Sequence, residues 1–478
     1  MQSMSFKYAV TPVSPNHYVL ARRGAMRCDV HAFLSDALYA ATDETLWRQA
    51  ADSAASPGAI GMYLMPDCHV GYHIPVGGVL VTEDVIMQAG SGYDISCGVA
   101  YLEVPGLDAA DVADKAARRR WVDAVEARVA TGLGSHRPEL ARKVDSRAMP
   151  DILRWGARAL AREGRSIPAE LCEREYIPVD EDIDPTSIAK AYEKAAPQLG
   201  SVGGGNHFVE LQVDRDDGSV WVMIHCGSRG YGWQTADYFF HEGAALRGIA
   251  RQQRETSWLH RDEPLGRRYW AHHNAAANYA IANRHTLVRQ IGEATEEVFG
   301  RSPRLFYEIS HNLVQEETLV LPDGSHSKGF VHRKGATRAF PAGHPQLAGT
   351  RWEATGHPCL IPGSMLDGAA VLYPKDGAYR SGCSVNHGSG RLLGRGEAKR
   401  SLAAKHDAID REMRDIVRVF GPDAVPIVGV VGNTERTPLD ECGHVYKDLD
   451  QVLGVLEAEG IASVARRLYP VANIKGVE

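Results

Sequence analysis

Gly90-Ser91-Gly92-Tyr93-Asp94-Ile95-Ser96-Cys97-Gly98 is the stretch around which the chain is organised. It places the carboxylate of Asp94 three residues before the thiol of Cys97, and the apolar residues 99–102 follow directly. Glycine-rich turns that precede β-forming residues are typical of a loop that leads into a strand. A carboxylate and a thiol at this spacing are both potential metal ligands. The stretch therefore predicts a metal-binding loop at the start of a strand.

A second informative segment is Asn386-His387-Gly388-Ser389-Gly390-Arg391. Its glycines allow the backbone to approach a ligand closely, and its arginine can pair with a phosphate group. The spacing matches neither the Walker nor the Rossmann pattern, and neither does the glycine run at residues 203–205, so these loops alone are weak indications of phosphate binding.

Composition places the protein among ordinary globular proteins. The 478 residues are 44% hydrophobic and 24% charged. No apolar run approaches the length of a membrane helix and the first residues lack a signal-peptide core, so we expect a cytoplasmic protein with no membrane association. The formal charge of -7 argues against nonspecific coating of nucleic acid, although a local basic cleft for an RNA or DNA end stays compatible with it. Eight cysteines without a CxxC pair do not resemble a disulfide framework.

Alternating strand and helix patterns without an internal repeat predict an α/β fold in which mixed sheets and flanking helices form one large domain over residues 1–478. Residues 1–60 form a divergent N-terminal segment, and residues 165–198 read as an acidic excursion outside the core.

Three local predictions can be compared with the structure. Residues 66–72 are expected to form a loop after a short strand. Residues 107–130 read as a helix whose Arg118-Arg119-Arg120 run lies on a solvated face. Residues 267–300 read as helical, with a break near an alanine cluster and a closing glycine.

Five potential metal ligands share a placement at the end of a predicted strand or in a glycine-rich loop beside one, where a parallel or mixed sheet gathers a site. They are Asp94, Cys97, His207, His225 and His311. The hairpin expected at residues 208–224 would bring His207 and His225 to the same end of paired strands. Ligand softness alone favours zinc, but the set also suffices for two metals bridged by Cys97. We assign the other histidines, including His69, to surface or packing positions.

An ordered series of ten motifs resembles the RtcB family of RNA-splicing ligases, from about residue 60 onward. The motifs are Pro66-Asp67-Cys68-His69-Val70-Gly71, Asp94-Ile95-Ser96-Cys97-Gly98, Gly204-Gly205-Asn206-His207-Phe208-Val209-Glu210, His225-Cys226-Gly227-Ser228-Arg229-Gly230, Ser310-His311-Asn312, Arg333-Lys334-Gly335-Ala336, Pro362-Gly363-Ser364-Met365, His387-Gly388-Ser389-Gly390-Arg391, Tyr446-Lys447-Asp448 and Lys475-Gly476. Ten motifs in one order are far more specific than any single one.

The resemblance implies a ligase that depends on GTP and Mn(II) and joins RNA ending in a 3′-phosphate or 2′,3′-cyclic phosphate to RNA with a 5′-hydroxyl. It implies that the five ligands named above hold two Mn(II) ions with Cys97 as the bridge, which replaces the zinc expected from softness. His387 matches the histidine that becomes guanylylated. The implied guanylate-binding positions are Asn206, His207, Phe208, Val209, Glu210, His311, Asn312, Pro362, Gly363, Ser364, Met365, His387, Gly388, Ser389, Gly390, Tyr446 and Lys475.

Individual roles follow from the residue types at these positions. Asp67 is suited to orient the catalytic histidine, and Glu210 to read the N–H edge of guanine. Arg229, Lys334 and Arg391 are candidates for contacts with RNA phosphates. The chain departs from the family pattern at Ala369, where a serine hydroxyl is usual, and at Asp367, which adds a negative charge close to the expected nucleotide site.

Two other functions remain open from the sequence. The same ligands would serve a metal-dependent phosphoesterase or nucleotidyltransferase acting on another substrate, or the chain would be an RNA-end-binding subunit without turnover. Retention of all five ligands, His387 and Lys475 disfavours the noncatalytic alternative. The sequence leaves open the physiological RNA, the oligomeric state and whether an activating protein partner is needed.

Overall fold

The structure is a computed structural model that describes residues 5–132, 148–161, 176–180, 183–184, 189–320 and 326–476. Half of the expected acidic excursion at 165–198 lies outside these residues, and its last part forms a helix, Ala189–Gln198.

The described residues form strands and helices that alternate along the chain, as an α/β fold requires. The strands are β1 Val10–Ser14, β2 His17–Leu20, β3 Val30–Phe33, β4 Ala59–Tyr72, β5 Ile74–Thr82, β6 Val85–Met87, β7 Gly98–Asp108, β8 Ala130–Thr131, β9 Ser201–Val202, β10 Phe208–Asp214, β11 Ser219–Cys226, β12 Trp258–His260, β13 Arg304–Ser310, β14 Asn312–Val320, β15 His326–Lys334, β16 Ala336–Arg338, β17 Cys359–Pro362, β18 Ala369–Pro374, β19 Ser384–Asn386, β20 Val417–Phe420, β21 Val425–Val428, β22 Val431–Gly432 and β23 Ala462–Lys475. The α-helices are α1 Asp36–Ala40, α2 Glu44–Ala54, α3 Lys115–Glu126, α4 Met149–Trp155, α5 Ala157–Ala161, α6 Ala189–Gln198, α7 Arg229–Arg247, α8 Pro264–Phe299, α9 Arg395–Leu402, α10 His406–Asp415 and α11 Leu449–Ala458.

Two large sheets dominate the fold. A seven-stranded sheet has the order β1-β2-β3-β4-β5-β15-β14, in which β3 and β4 run parallel. An eight-stranded sheet has the order β13-β7-β11-β10-β23-β18-β17, with β22 pairing parallel to β23. Helices α3 and α8 pack on the eight-stranded sheet, α2 packs on the seven-stranded one, and α11 contacts strands of both, β23 and β4. The predicted α/β fold with mixed sheets and flanking helices is confirmed.

One edge of the eight-stranded sheet collects the ends of five adjacent strands, β13, β7, β11, β10 and β23. The main strands are antiparallel, so the C-terminal end of each strand lies beside the N-terminal start of its neighbour. The register shows this directly, because Gly98 pairs with both Ser310 and Cys226, and Phe208 pairs with both His225 and Lys475. The predicted position of His207 and His225 at one end of a hairpin is confirmed, and residues far apart in sequence meet at this edge.

Three local predictions need correction. Residues 66–72 are the second half of β4 rather than a loop, and irregular pairing with β5 between Leu64 and His69 accommodates their proline and glycine. The residues read as a helix over 107–130 are helical only in α3, because β7 continues to Asp108. Helix α8 runs unbroken for 36 residues and ends at Gly300, which adopts a left-handed conformation. Its alanine cluster favours the helix and fits against buried neighbours.

The arginine run in α3 is also not uniformly solvated. Arg119 and Arg120 are exposed, but Arg118 is 1% exposed. Its guanidinium donates to the carbonyl oxygens of Val428, Gly429 and Val471, which come from segments far along the chain. A buried arginine is tolerated here because backbone acceptors pair with both of its terminal NH2 groups.

Among the described residues, no helix combines the length and the apolar character needed to cross a membrane. The seven cysteines that the structure describes are all free thiols. This agrees with the interpretation that the cysteines are not a disulfide framework.

Candidate active site

The five predicted metal ligands meet at the strand-end edge of the eight-stranded sheet. Cys97 lies at their centre, with its Sγ 3.3 Å from the Nε2 atoms of both His207 and His225. On one side, Asp94 Oδ2 lies 2.9 Å from His207 Nε2. On the other side, His225 Nε2 lies 3.2 Å from His311 Nε2. The donor atoms thus form a continuous chain with the thiol in the middle, and those of Cys97, His207 and His225 lie close enough together to hold a metal ion.

Protonation at this site suits metal binding at Asp94, His225 and His311. At His207, burial would lower the pKa, but the charges of Cys97 and Cys226 and a hydrogen bond to Asp94 raise it well above the usual value, so a bound metal would have to displace its proton. Burial would raise the pKa of Asp94, but hydrogen bonding and the charge of His207 lower it to about 2, so the carboxylate is ionised. Burial lowers the pKa of His225 and of His311 well below the usual value, which keeps both imidazoles neutral and their lone pairs available. Burial and the charge of Asp94 raise the pKa of Cys97 to about 12. The thiol would therefore release its proton only to a bound metal.

Small residues and local hydrogen bonds hold the ligands in place. Asp94 Oδ1 accepts hydrogen bonds from the backbone N–H and the hydroxyl of Ser228. A Cβ at Gly227 would collide with the same carboxylate, so only glycine fits beside it. Carboxylate, thiolate and imidazole together suit a divalent transition metal. The chemistry of the donors therefore fits a metal centre.

A second arrangement positions His387 beside the metal ligands. Its ring centroid lies 5.0 Å from that of His311. Asp67 is fully buried, and its Oδ2 accepts hydrogen bonds from the Nδ1–H of His387 at 2.6 Å and from the backbone N–H of the same residue at 3.2 Å. Because the carboxylate holds the proton on Nδ1, the Nε2 lone pair is free to act as a nucleophile. Gly335, at φ 63°, lets the chain turn against the imidazole, where a Cβ would lie 3.0 Å from its Cε1.

A cavity of about 370 Å³ opens in front of these groups and is large enough for a small-molecule ligand. Most of the predicted guanylate-binding residues line it. They are Asn206, Phe208, Glu210, His311, Asn312, Pro362, Gly363, Ser364, Met365, His387, Gly388, Ser389, Gly390, Tyr446 and Lys475. Of the remaining two, His207 lies in the metal cluster, and Val209 is buried in the core because alternate residues of β10 face opposite sides of the sheet.

The floor of the cavity carries polar groups suited to a base. Glu210 is buried, and its two oxygens accept hydrogen bonds from Gln212 Nε2 and Asn473 Nδ2. Burial raises the pKa of Glu210, opposed by these amides and by the charge of Lys475. Lys475 Nζ lies 3.2 Å from Glu441 Oε2 and 5.1 Å from the ring centroid of Phe208.

The three residues predicted to contact RNA phosphates already have partners within the chain. Arg229 donates to Ser201 Oγ and to the carbonyl oxygen of Gly132. Lys334 Nζ donates to the carbonyl oxygens of Tyr72 and Ile74 at 2.6 and 2.8 Å. Arg391 and Lys334 both line the cavity, whereas Arg229 does not.

Several cavity residues were not predicted from the sequence. Glu441 faces Arg391, Arg395, Tyr446 and Lys475, and no local pattern in its loop identifies it. The histidine of the first motif, His69, was assigned to packing but lines the cavity. Its Nδ1 lies 3.0 Å from the carbonyl oxygen of Asp67, and its place in that motif was the available signal.

Neither Asp367 nor Ala369, the two departures named above, lines the cavity. The Asp367 carboxylate accepts the hydroxyl of Ser364 at 3.0 Å, so its charge is directed at the loop itself. Ala369 begins β18, pairs with Pro362 and is buried among apolar side chains.

Sequence comparison relates this fold and site to known proteins. Residues 49–476 match the family described as tRNA-splicing ligase RtcB. The chain is 36% identical over 462 residues to the tRNA-splicing ligase RtcB of Thermococcus kodakarensis, with 91% of each chain covered. It is 34% identical over 454 residues to the RNA-splicing ligase RtcB of Mycobacterium tuberculosis, covering 90% of this chain and 100% of that protein. It is 33% identical over 480 residues to the tRNA-splicing ligase RtcB of Archaeoglobus fulgidus, covering 94% and 95% respectively. The chain belongs to the RtcB family.

Proposed function

We propose that this chain is an RNA ligase that uses GTP and Mn(II) to join a 3′-phosphate or 2′,3′-cyclic phosphate end to a 5′-hydroxyl end. RNA ligation is supported by its similarity to proteins named tRNA-splicing ligase and RNA-splicing ligase. The observation that most supports the mechanism is the contact between Asp67 and His387 Nδ1, which leaves Nε2 free beside the predicted metal ligands.

In the first step, His387 Nε2 attacks the α-phosphorus of GTP. A phosphorus–nitrogen bond forms, the bond to pyrophosphate breaks, and the histidine carries GMP. Asp67 keeps the Nδ1 proton and balances the positive charge that the imidazole gains during attack. In the second step, an oxygen of the RNA 3′-phosphate attacks the same phosphorus, which frees His387 and leaves RNA ending in a diphosphate linked to guanosine.

In the last step, the RNA 5′-hydroxyl attacks the activated 3′-phosphate, and GMP leaves. A 2′,3′-cyclic phosphate must first be opened by water to give the 3′-phosphate. We assign the metal site to Asp94, Cys97, His207, His225 and His311, with Cys97 shared by two ions. When bound, the ions would neutralise phosphate charge and orient the leaving group.

We place the guanine base against Glu210, with Lys475 beside it. The N1–H and the exocyclic amine of guanine are donors that an ionised carboxylate accepts together, whereas adenine offers no such pair. For RNA phosphates, Arg391 and Lys334 are the preferred contacts because both line the cavity, and Arg229 is the more distant candidate. The free thiols support a cytoplasmic location.

Replacing Glu210 with glutamine should weaken guanine recognition. Loss of a charged acceptor is expected to lower protein labelling by GTP about 10- to 100-fold and to narrow the preference for GTP over ATP. The measurement is the initial rate of labelling with each nucleotide. Glu103→Gln is a suitable control, because this carboxylate lies on β7 near the surface and pairs with Arg304. An unchanged preference for GTP would contradict the assignment of Glu210.

The overall proposal is tested by incubating the protein with Mn(II) and α-labelled GTP. Label should appear on the wild-type protein and should be absent from His387→Ala, which removes the nucleophile. Absence of label on the wild type would contradict the ligase mechanism and favour a phosphoesterase or a noncatalytic subunit. Labelling without joining of 3′-phosphate and 5′-hydroxyl RNA ends would instead indicate a nucleotidyltransferase with another acceptor.

A further inference from the structure

A fully buried arginine lies directly behind the metal ligands. Arg284 projects from α8 and is 0% exposed. Its charge is balanced by Glu308 on β13, which is 1% exposed and accepts from the guanidinium Nε–H. A buried ion pair of this kind is costly to form. Its presence points to a role for Arg284 in holding neighbouring groups in position.

Every N–H donor of this guanidinium has an acceptor. Besides Glu308, NH1 donates to the carbonyl oxygens of Ser96 and Cys226, the latter at 3.0 Å. NH2 donates to Ser96 Oγ at 3.3 Å and to Ser310 Oγ at 3.1 Å. An arginine has five such donors in a fixed plane, and all five are used here.

The acceptors are sequence neighbours of three metal ligands from three separate segments. Ser96 precedes Cys97, Cys226 follows His225, and Ser310 precedes His311. The two serine hydroxyls also contact each other at 2.7 Å. One planar group therefore ties together the three chain segments that present the thiol and two of the imidazoles.

The backbone at Ser96 shows why such a contact is needed. This residue has φ 58°, a conformation that residues with a Cβ rarely adopt. Its N–H donates to the carbonyl oxygen of Asn312, and its own carbonyl accepts from Arg284. The turn that directs Cys97 toward the histidines is thus stabilised from both sides.

We propose that Arg284 is a positioning residue that fixes the spacing of Cys97, His225 and His311 before a metal binds. The inference rests on the proposed metal-dependent function, since these three residues are its ligands. Groups that orient metal ligands typically alter metal affinity when they are changed, even though they do not touch the ion.

The test is the affinity of Arg284→Lys for Mn(II), measured by titration calorimetry. Lysine keeps the charge opposite Glu308 but cannot reach all three segments, so affinity should fall about 10- to 100-fold. Formation of the His387 adduct by Arg284→Lys should recover at saturating Mn(II). When the same variant is titrated with Co(II), its thiolate-to-metal absorption band should appear only at correspondingly higher cobalt concentrations.

Two further variants make the result interpretable. Arg118→Lys alters a buried arginine that also donates to carbonyl oxygens of two distant segments but lies away from the ligands. The Mn(II) affinity of this variant should equal that of the wild type. Ser310→Ala removes one acceptor of Arg284 and should weaken Mn(II) binding about 2- to 10-fold, even if Arg284→Lys fails to fold.

Wild-type affinity in Arg284→Lys, or in Ser310→Ala, would overturn the role of Arg284 while leaving the proposed ligase intact. A wild-type protein that binds no Mn(II) and forms no adduct would overturn the proposed function and this inference with it.

Discussion

Serine in place of Cys97 is expected to prevent binding of both metal ions and to abolish guanylylation of His387. The sulfur lies 3.3 Å from the Nε2 atoms of both His207 and His225, at the centre of the donor chain. A serine hydroxyl is far less acidic than a thiol and stays protonated at neutral pH, so it cannot supply the anionic bridge that a thiolate would. Metal content after dialysis against Mn(II), together with labelling by α-labelled GTP, measures both effects.

The control for this substitution is Cys359→Ser. Cys359 is also a fully buried thiol, but it lies on β17 and donates to the carbonyl oxygen of Arg338. It should retain metal and form the labelled adduct, after allowance for any loss of stability. If Cys97→Ser retains a full complement of Mn(II) or forms the adduct at the wild-type rate, Cys97 is not the bridge.

Asparagine in place of Asp67 is expected to slow adduct formation by about two to four orders of magnitude, the range seen when the carboxylate partner of a catalytic histidine is neutralised. The carboxylate is fully buried and accepts the Nδ1–H of His387 at 2.6 Å. An asparagine amide can donate to Nδ1 instead, which moves the ring proton to Nε2 and blocks attack. Single-turnover labelling under saturating Mn(II) and GTP measures the rate.

A measurement of Mn(II) binding distinguishes the role of Asp67 in activating His387 from a structural role. Asp67 touches none of the five metal ligands in the hydrogen bonds described above, so Asp67→Asn should bind Mn(II) with wild-type affinity. The comparison variant is Asp214→Asn, another buried carboxylate, which pairs with Arg466 away from the cavity and should form the adduct at the wild-type rate. A wild-type labelling rate in Asp67→Asn would contradict the proposed activation of His387.

The sequence predicted which residues meet in space better than it predicted the secondary structure between them. His207 and His225 flank a short hairpin, so their proximity follows from local pairing. The motif series then identified the distant partners, and the family comparison agrees with that recognition. Residues 66–72 were misread because proline and glycine usually end a strand, whereas here irregular pairing with β5 lets β4 continue.

One physical reason explains why the sequence did not predict the positions of Arg118 and Glu441. Arg118 is buried because carbonyl oxygens more than 300 positions away in sequence accept from its two terminal NH2 groups. No local pattern can reveal these acceptors. Glu441 enters the cavity because Arg391, Arg395 and Lys475 surround it. Charged side chains in a sequence usually predict a solvent-exposed position. Only tertiary partners make these burials favourable, and those partners are not visible in a short window of sequence.

Strand β23 has a consequence for the order in which the enzyme can mature. It lies between β10 and β18 and brings Lys475 beside Phe208. During synthesis, β10 leaves the ribosome long before β23 exists, so its edge stays open and exposed to wrong pairing. Such distant strand pairing is slow to form. A nascent chain therefore cannot assemble the floor of the cavity early, and substitutions that delay insertion of β23 should reduce the yield of folded protein more than its equilibrium stability.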